Sequence, residues 1–563
     1  MTLSRTLAAA ALCAAVAVPS LAFGTSGSYL AARHASFESN YAMAAEYYTR
    51  ALAMDPGNSG LMEAVISSNI NFGEIERSFP VARRMVEGNM RSQVAHMALL
   101  ASLAQEGDFV ALAAGLEGGQ SVGALVDGLA LAWARFGAGD ISDALEMFDT
   151  VSQQQGLQSF ALYHKALALA AVGDFEAADA ILSGEAEGAL QVAPRGVLAH
   201  AQILAQLDRP DDARAVIEAG LGPNPPPEFE ALLADLAAGT PVNYDVATTA
   251  PEGMGEVFYA VATALAGESA PGFTLLYARI GAFLNPGNID AVILAAELLE
   301  QMDQFDLATR TYNLVPQDHP AFLSAEIGRA QALRDAGRED VAVETLTQLA
   351  ERFPDMRIVH YRLGDMLRTL DRHAEATLVY DRAIALTSDP QQFDWPLFFS
   401  RGITLERTDN WDAAEADFRK ALELQPDQPQ VLNYLGYSMV ELDMNLDEAL
   451  AMIETAVAGR PNDGYITDSL GWVLYRMGRY GEAIVHMERA VELTPVDPII
   501  NDHLGDVLWA VGRKTEARFQ WHRALSFDPE PEDAERMRRK LEIGLDAVLA
   551  EEGAEPLDLA EDG

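Results

Sequence analysis

Few patterns in these 563 residues could organise side chains for covalent chemistry. No Gly-rich phosphate loop ends in Gly-Lys-Ser/Thr, and no nucleophile elbow is expected. His-Glu-x-x-His is also absent, so two imidazoles one helical turn apart are not available to hold zinc. The ten histidines, His34, His96, His164, His200, His319, His360, His373, His486, His503 and His522, stand singly with no ligand-spaced partner in their own helix. Carboxylate pairs are so common at this composition that none stands out. Neither an enzyme nor a metal or other cofactor is expected.

What the spacing does offer is recognition. Tyr361, Asp365 and Arg368 recur three to four residues apart, followed by Phe399, then Asn433 and Tyr437. The series continues with Asp468, Trp472 and Tyr475, and with Asp502, Asp506 and Trp509. Rings alternate with carboxylates and amides at helical spacing. Such a face suits a segment of a protein partner, because rings give large contact area at low entropy cost and polar groups fix register. The competing reading of Trp472, Tyr475 and Trp509 is packing between neighbouring elements. Trp521, Tyr434 and Leu435 are assigned to the core.

The elements that must position these residues follow from a repeat. Gly471, Ala483, Ala490 and Pro495 recur as Gly505, Ala517, Ala524 and Pro529, each 34 residues on. Between them apolar residues fall at helical spacing, broken at Met477-Gly478-Arg479 and Val511-Gly512-Arg513. Small residues mark close helix crossings, and proline stops the second helix because it lacks the backbone donor. A helix–turn–helix unit of this period resembles the tetratricopeptide repeat (TPR). The resemblance implies an all-α superhelix, an α-solenoid of about fourteen units, with the first helix of each lining the concave face.

Prolines at 286, 320, 354, 426, 461, 495 and 529 mark eight regular repeats over 254–531, starting near 255, 289, 323, 357, 395, 429, 464 and 498. An insertion falls near Pro390–Asp394, and one extra residue near Asp443–Asn445. Residues 23–226 read as degenerate repeats, poorest over 59–119, with Ala32, Ala44, Ala51 and Pro56 and again Ala201, Ala213, Gly220 and Pro225 fitting the columns. A Pro/Gly-rich break at 227–253, with a short helix from Glu228 to Ala237, reads as the boundary between two halves of the array. One amphipathic helix over 532–550 caps the far end, and 551–563 reads as an acidic disordered tail.

The balance of 39 Lys+Arg against 84 Asp+Glu, net −45, argues against nucleic acid or an anionic membrane as a general partner. Arg5, the apolar run from Leu7 to Val18 and Ser20-Leu21-Ala22 read as a secretory signal over 1–22, cleaved after Ala22. Twelve apolar residues are too few to span a bilayer. Cys13, the only cysteine, lies in that run behind Leu12 rather than a small residue, so lipidation is not expected. Export to a periplasm is the expected destination.

The block NYLGYSMVELDMNLDEALAMIETAV, DSLGWVLYRMGRY, NDHLGDVLWAVGRKTEARFQWHRAL resembles proteobacterial envelope TPR proteins. Within that family one type is an adaptor for a periplasmic carboxyl-terminal processing protease. The resemblance implies a non-enzymatic scaffold that binds the protease and its client hydrolases. The alternative is an envelope-assembly factor with no role in proteolysis. A TPR groove that grips an acidic C-terminal tail uses paired Lys and Arg plus Asn. Here only Asn433 and Arg368 answer, beside Asp468, Asp502 and Asp506, so a basic or neutral partner segment is expected.

Overall fold

The structure is a computed structural model, and it describes residues 25–185, 190, 193–222 and 225–554. The signal at 1–22 and most of the tail at 551–563 lie outside the described residues. Among those described, 31 α-helices and two short 3-10 turns carry the chain, with no strand. The fold class is the all-α helical-hairpin solenoid.

Each hairpin is written locally. In Gly464–Arg476 the Asp463 side chain accepts the backbone N–H groups of Tyr465 and Ile466, satisfying donors that no helical carbonyl can reach. Gly478, at φ +72, then turns the chain into Tyr480–Leu493. The repeat starting near 429 turns instead through two left-handed residues, Asp443 and Asn445, where the extra residue sits. The insertion near Pro390–Asp394 forms the 3-10 turn Gln392–Asp394.

Two compact units divide the chain, 1–345 and 346–563. In unit 1 the amino-terminal helices do not simply continue a stack. Ser59–Phe72 and Gln93–Glu106 pack against Pro271–Leu284, and Ala124–Gly137 packs against Ala250–Leu265. Gln304 Nε2 donates to the Glu38 carbonyl at 2.9 Å, 266 residues away in sequence. The reason is apolar area: Leu61, Ile66, Ile70, Met97 and Leu100 are buried, and partners distant in sequence complete their cover.

The break expected at 227–253 is therefore not the boundary between halves. Its helix, Pro227–Ala238, is followed by a strap whose Val246 and Ala247 are fully buried, and a Thr249–Glu252 capping box starts the next helix. A Cβ on Gly253, in the first turn of that helix, would fall 2.2 Å from Trp133 Cε2, so the helix that follows the strap lies directly on the core. Irregular backbone can be buried when its polar groups are satisfied. Asn285 Nδ2 donates to the Val246 carbonyl and to Glu256 Oε1, at 3.0 and 2.9 Å. Glu256, 1% exposed, also takes Arg195 through Nε and Nη2 at 3.0–3.2 Å, and Asn288 Nδ2 at 2.9 Å.

The two pairs of helices assigned to the first regular repeats, near 255 and 289, thus belong to unit 1 rather than to one run of eight. The cap is also two helices, Pro531–Ile543 and Leu545–Glu551, because Gly544 takes φ +87 between them.

Burial pushes the Glu256 carboxyl up, opposed by the Arg195 charge. Removing one member leaves the other charged and buried. Arg195→Ala is expected to cost unit 1 about 3–5 kcal/mol in urea denaturation, far more than an exposed arginine would.

Candidate functional site

The face available for binding in unit 2 is set by which helices touch. Pro429–Glu441 packs on Gly464–Arg476, which packs on Pro498–Ala510; Arg357–Thr369 packs on Trp395–Glu406 in the same way. These first helices approach one another, so their inward stripes form one face. Residues three or four apart share a stripe.

The structure divides the twelve candidate residues. Tyr361, Asp365, Arg368, Phe399, Asn433 and Tyr437 are half-buried on the stripe. Asp365 is already engaged: the Tyr380 hydroxyl donates to it at 2.7 Å, and Arg368 Nη2 lies 3.6 Å away. The other six, Asp468, Trp472, Tyr475, Asp502, Asp506 and Trp509, are buried. They are corrected from groove to packing, and the physical reason is that the cap and the neighbouring repeat consume them.

Trp472 stacks on His503 with centroids 3.9 Å apart and on Tyr475 at 4.9 Å, and its Nε1 donates to Glu441 at 2.7 Å. Trp509 Nε1 donates to Asp546 at 2.9 Å, and Lys514 Nζ lies 4.5 Å from the ring centroid. Lys540, fully buried, places Nζ 2.7 Å from Asp502 Oδ2 and from both Asp506 oxygens. Arg536 stands 3.6 Å from Asp506, and Trp521 Nε1 donates to Asp506 at 2.9 Å. Trp521 and Leu435 are fully buried and Tyr434 half-buried, so core packing is where they sit.

The expected preference for a basic partner rested on three acids that now have internal partners. Asp468 pairs with His503 Nδ1 at 2.9 Å, and Asp502 and Asp506 with Lys540. The open face carries exposed Arg362 and Arg407 as well as exposed Glu441, so that preference loses its basis.

One column was missed. One turn before each stripe lie Ile358, Pro396, Gln430, Tyr465 and Ile499. Tyr465 is 59% exposed and Ile358 37%. The 34-residue register carried one turn towards the amino end would have found them. Among the described residues no cluster of His, Cys, Asp or Glu is arranged to hold a metal, and no helix is long and apolar enough to cross a membrane.

Hairpins of this period with small residues at their crossings define the tetratricopeptide repeat class. The tetratricopeptide repeat model matches residues 327–392, 399–464, 443–498 and 469–534. A TPR repeat-containing protein of Pseudomonas aeruginosa is 29% identical over 162 residues, which is 29% of this chain and 27% of that protein. Human tetratricopeptide repeat protein 13 is 27% identical over 158 residues, 27% of this chain and 18% of that one. The chain thus spans under a third of the length of either relative. Among solved structures, the crystal structure of the APC/C hetero-tetramer Cut9-Hcn1 aligns over 93% of this chain and 97% of that one, at 13% identity and TM-score 0.38. A tetratricopeptide repeat protein from Parabacteroides merdae aligns over 44% of this chain and 97% of that one, at 15% identity and TM-score 0.38.

Two outcomes follow from the buried charges. Lys540→Met leaves Asp502 and Asp506 with only the more distant Arg536 as cation and is expected to destabilise unit 2 by about 3 kcal/mol, most of it recovered when both aspartates become asparagine. Burial pushes the His503 imidazole down, but the Asp468 charge and hydrogen bond outweigh it, so the net shift is upward. A raised imidazole contributes stability that is complete below its unfolded pKa of 6.5 and disappears as pH rises through the folded value. Urea midpoints of unit 2 should therefore fall as pH rises above 6.5, and His503→Gln should flatten that slope.

Proposed function

We propose that the protein acts without catalysis, as a periplasmic adaptor that holds protein partners on the first-helix face of unit 2 and presents clients to an envelope protease. TPR proteins in general mediate protein–protein contacts, and the match over 327–534 supports that mode here. The observation that carries the reading is the open stretch of that face. Tyr465 and Ile358 are exposed beside half-buried Tyr361, Phe399 and Tyr437, offering rings and apolar area with no internal partner covering them fully. Holding enzyme and client on one array raises the effective concentration of each for the other, so no new chemistry is needed. The protease partner and the periplasmic setting rest on the family resemblance of 430–531 and on the leader at 1–22.

Affinity capture from an envelope extract tests both halves. The full chain should retain a protease or a cell-wall hydrolase, and Tyr465→Ala with Ile358→Ala should lose it at unchanged thermal stability, since both side chains are exposed. Retention of neither class sinks the protease half. Retention undiminished in the double variant sinks the assignment of the face.

A further inference from the structure

Unit 1 buries an arginine that no carboxylate answers among the described residues. Arg279, on helix Pro271–Leu284, is 7% exposed. The chain holds 84 acidic residues against 39 basic ones, and among the described residues the buried Lys540 is matched by Asp502 and Asp506 and the partly buried Arg195 by Glu256. Arg279 has no such partner among the described residues. Its hydrogen bond runs from Nη2 to the neutral Thr311 hydroxyl at 2.9 Å, and Nε is buried with no acceptor. Thr311 in turn donates to the Leu307 carbonyl, so it is oriented to receive.

The surroundings of Arg279 include an exposed glycine and, beside Thr311, a second arginine. The guanidinium lies against exposed Gly73, where a Cβ would stand 3.6 Å from Cζ. Arg310, next to Thr311, holds Cζ 5.9 Å from the neighbouring Phe72 ring. Its Nε donates to the Asp306 carbonyl, and no carboxylate lies within ion-pair distance of it among the described residues. The nearest acids in sequence are engaged elsewhere: Glu74 with Arg77 at 3.1 Å and Asp306 with Arg338 at 3.8 Å.

A guanidinium has five N–H donors in a planar fork, and burying one unpaired costs several kcal/mol. Burial pushes Arg279 down to about 10, which leaves it charged at neutral pH. A charge kept at that cost, with donors unused and glycine rather than a side chain beside it, has the form of a receptor. We propose that Arg279 is the floor of an oxyanion site in unit 1, taking a phosphate or carboxylate group beside Gly73 with Arg310 as the rim cation. The fork matches two oxygens of either group.

Calorimetric titration of the full chain with inorganic phosphate and with acetate, against chloride at equal ionic strength, tests this. Saturable binding of at least one oxyanion is expected. Phosphate alone assigns a phosphoryl group, and acetate as well assigns a carboxylate. Arg279→Met should abolish the binding while leaving unit 1 at least as stable in chloride, because it removes an unpaired buried charge. Arg279→Lys keeps the charge but loses the fork and should weaken binding, as should Arg310→Gln by about tenfold, the loss of one charged hydrogen bond. No saturable heat from the unaltered chain, or equal affinity in the Arg279 variants, overturns the proposal.

Discussion

In unit 2 a large side chain from each second helix presses onto a glycine of its own first helix. Tyr380 meets Gly364, Phe418 meets Gly402, Ile453 meets Gly436, Met487 meets Gly471 and Trp521 meets Gly505. A Cβ on those glycines would come within 2.3–2.8 Å of the opposing side chain, closer than any real contact. The two helices can lie together only because the first carries no side chain there. Once they do, Ala483, Ala490, Ala517 and Ala524 are sealed, and each hairpin presents a flat apolar flank to the next. The first-helix face exists as a surface because this contact is repeated.

The same logic explains why the last repeat is not open. A stack of apolar flanks must end somewhere, and here it ends under Pro531–Ile543 and Leu545–Glu551. Those helices bring Lys540 and Arg536 onto Asp502 and Asp506, and Asp546 onto Trp509. Burying ion pairs gives little net stability, but breaking one is costly. The cap is therefore held in one register, and the acidic end of the face is closed. The uncovered part of the stripe lies further back along the stack.

Unit 1 uses the same hairpins differently. Its amino-terminal helices fold onto helices more than a hundred residues away, and a proline- and glycine-bearing strap is pinned through Asn285 and Glu256. The Arg195–Glu256 pair is fully answered, whereas Arg279 is not. Two arginines in one unit thus differ in kind: one closes the fold, the other leaves donors free.

Much of this was legible from spacing. Helical hairpins, their period and the columns of small residues are local properties, and periodicity reports them because each hairpin packs mainly on its neighbours. The stripe holding Tyr361, Phe399, Asn433 and Tyr437 follows from the same register. What periodicity cannot report is which inward residues find a partner. Asn433 and Asp468 occupy equivalent positions in successive repeats, yet Asp468 is spent on His503 from the next first helix, 35 residues on. Trp472 and Trp509 looked like groove aromatics until the stacking on His503 and the cap closed over them. The strap at 239–250 reads as a linker because its composition forbids regular structure, not because it is exposed. Sequence alone determined the unit of construction, since helix, turn and crossing are decided within 34 residues. Only the tertiary structure decided which charges are answered and which surfaces stay open, because those depend on groups that the fold brings together from far along the chain.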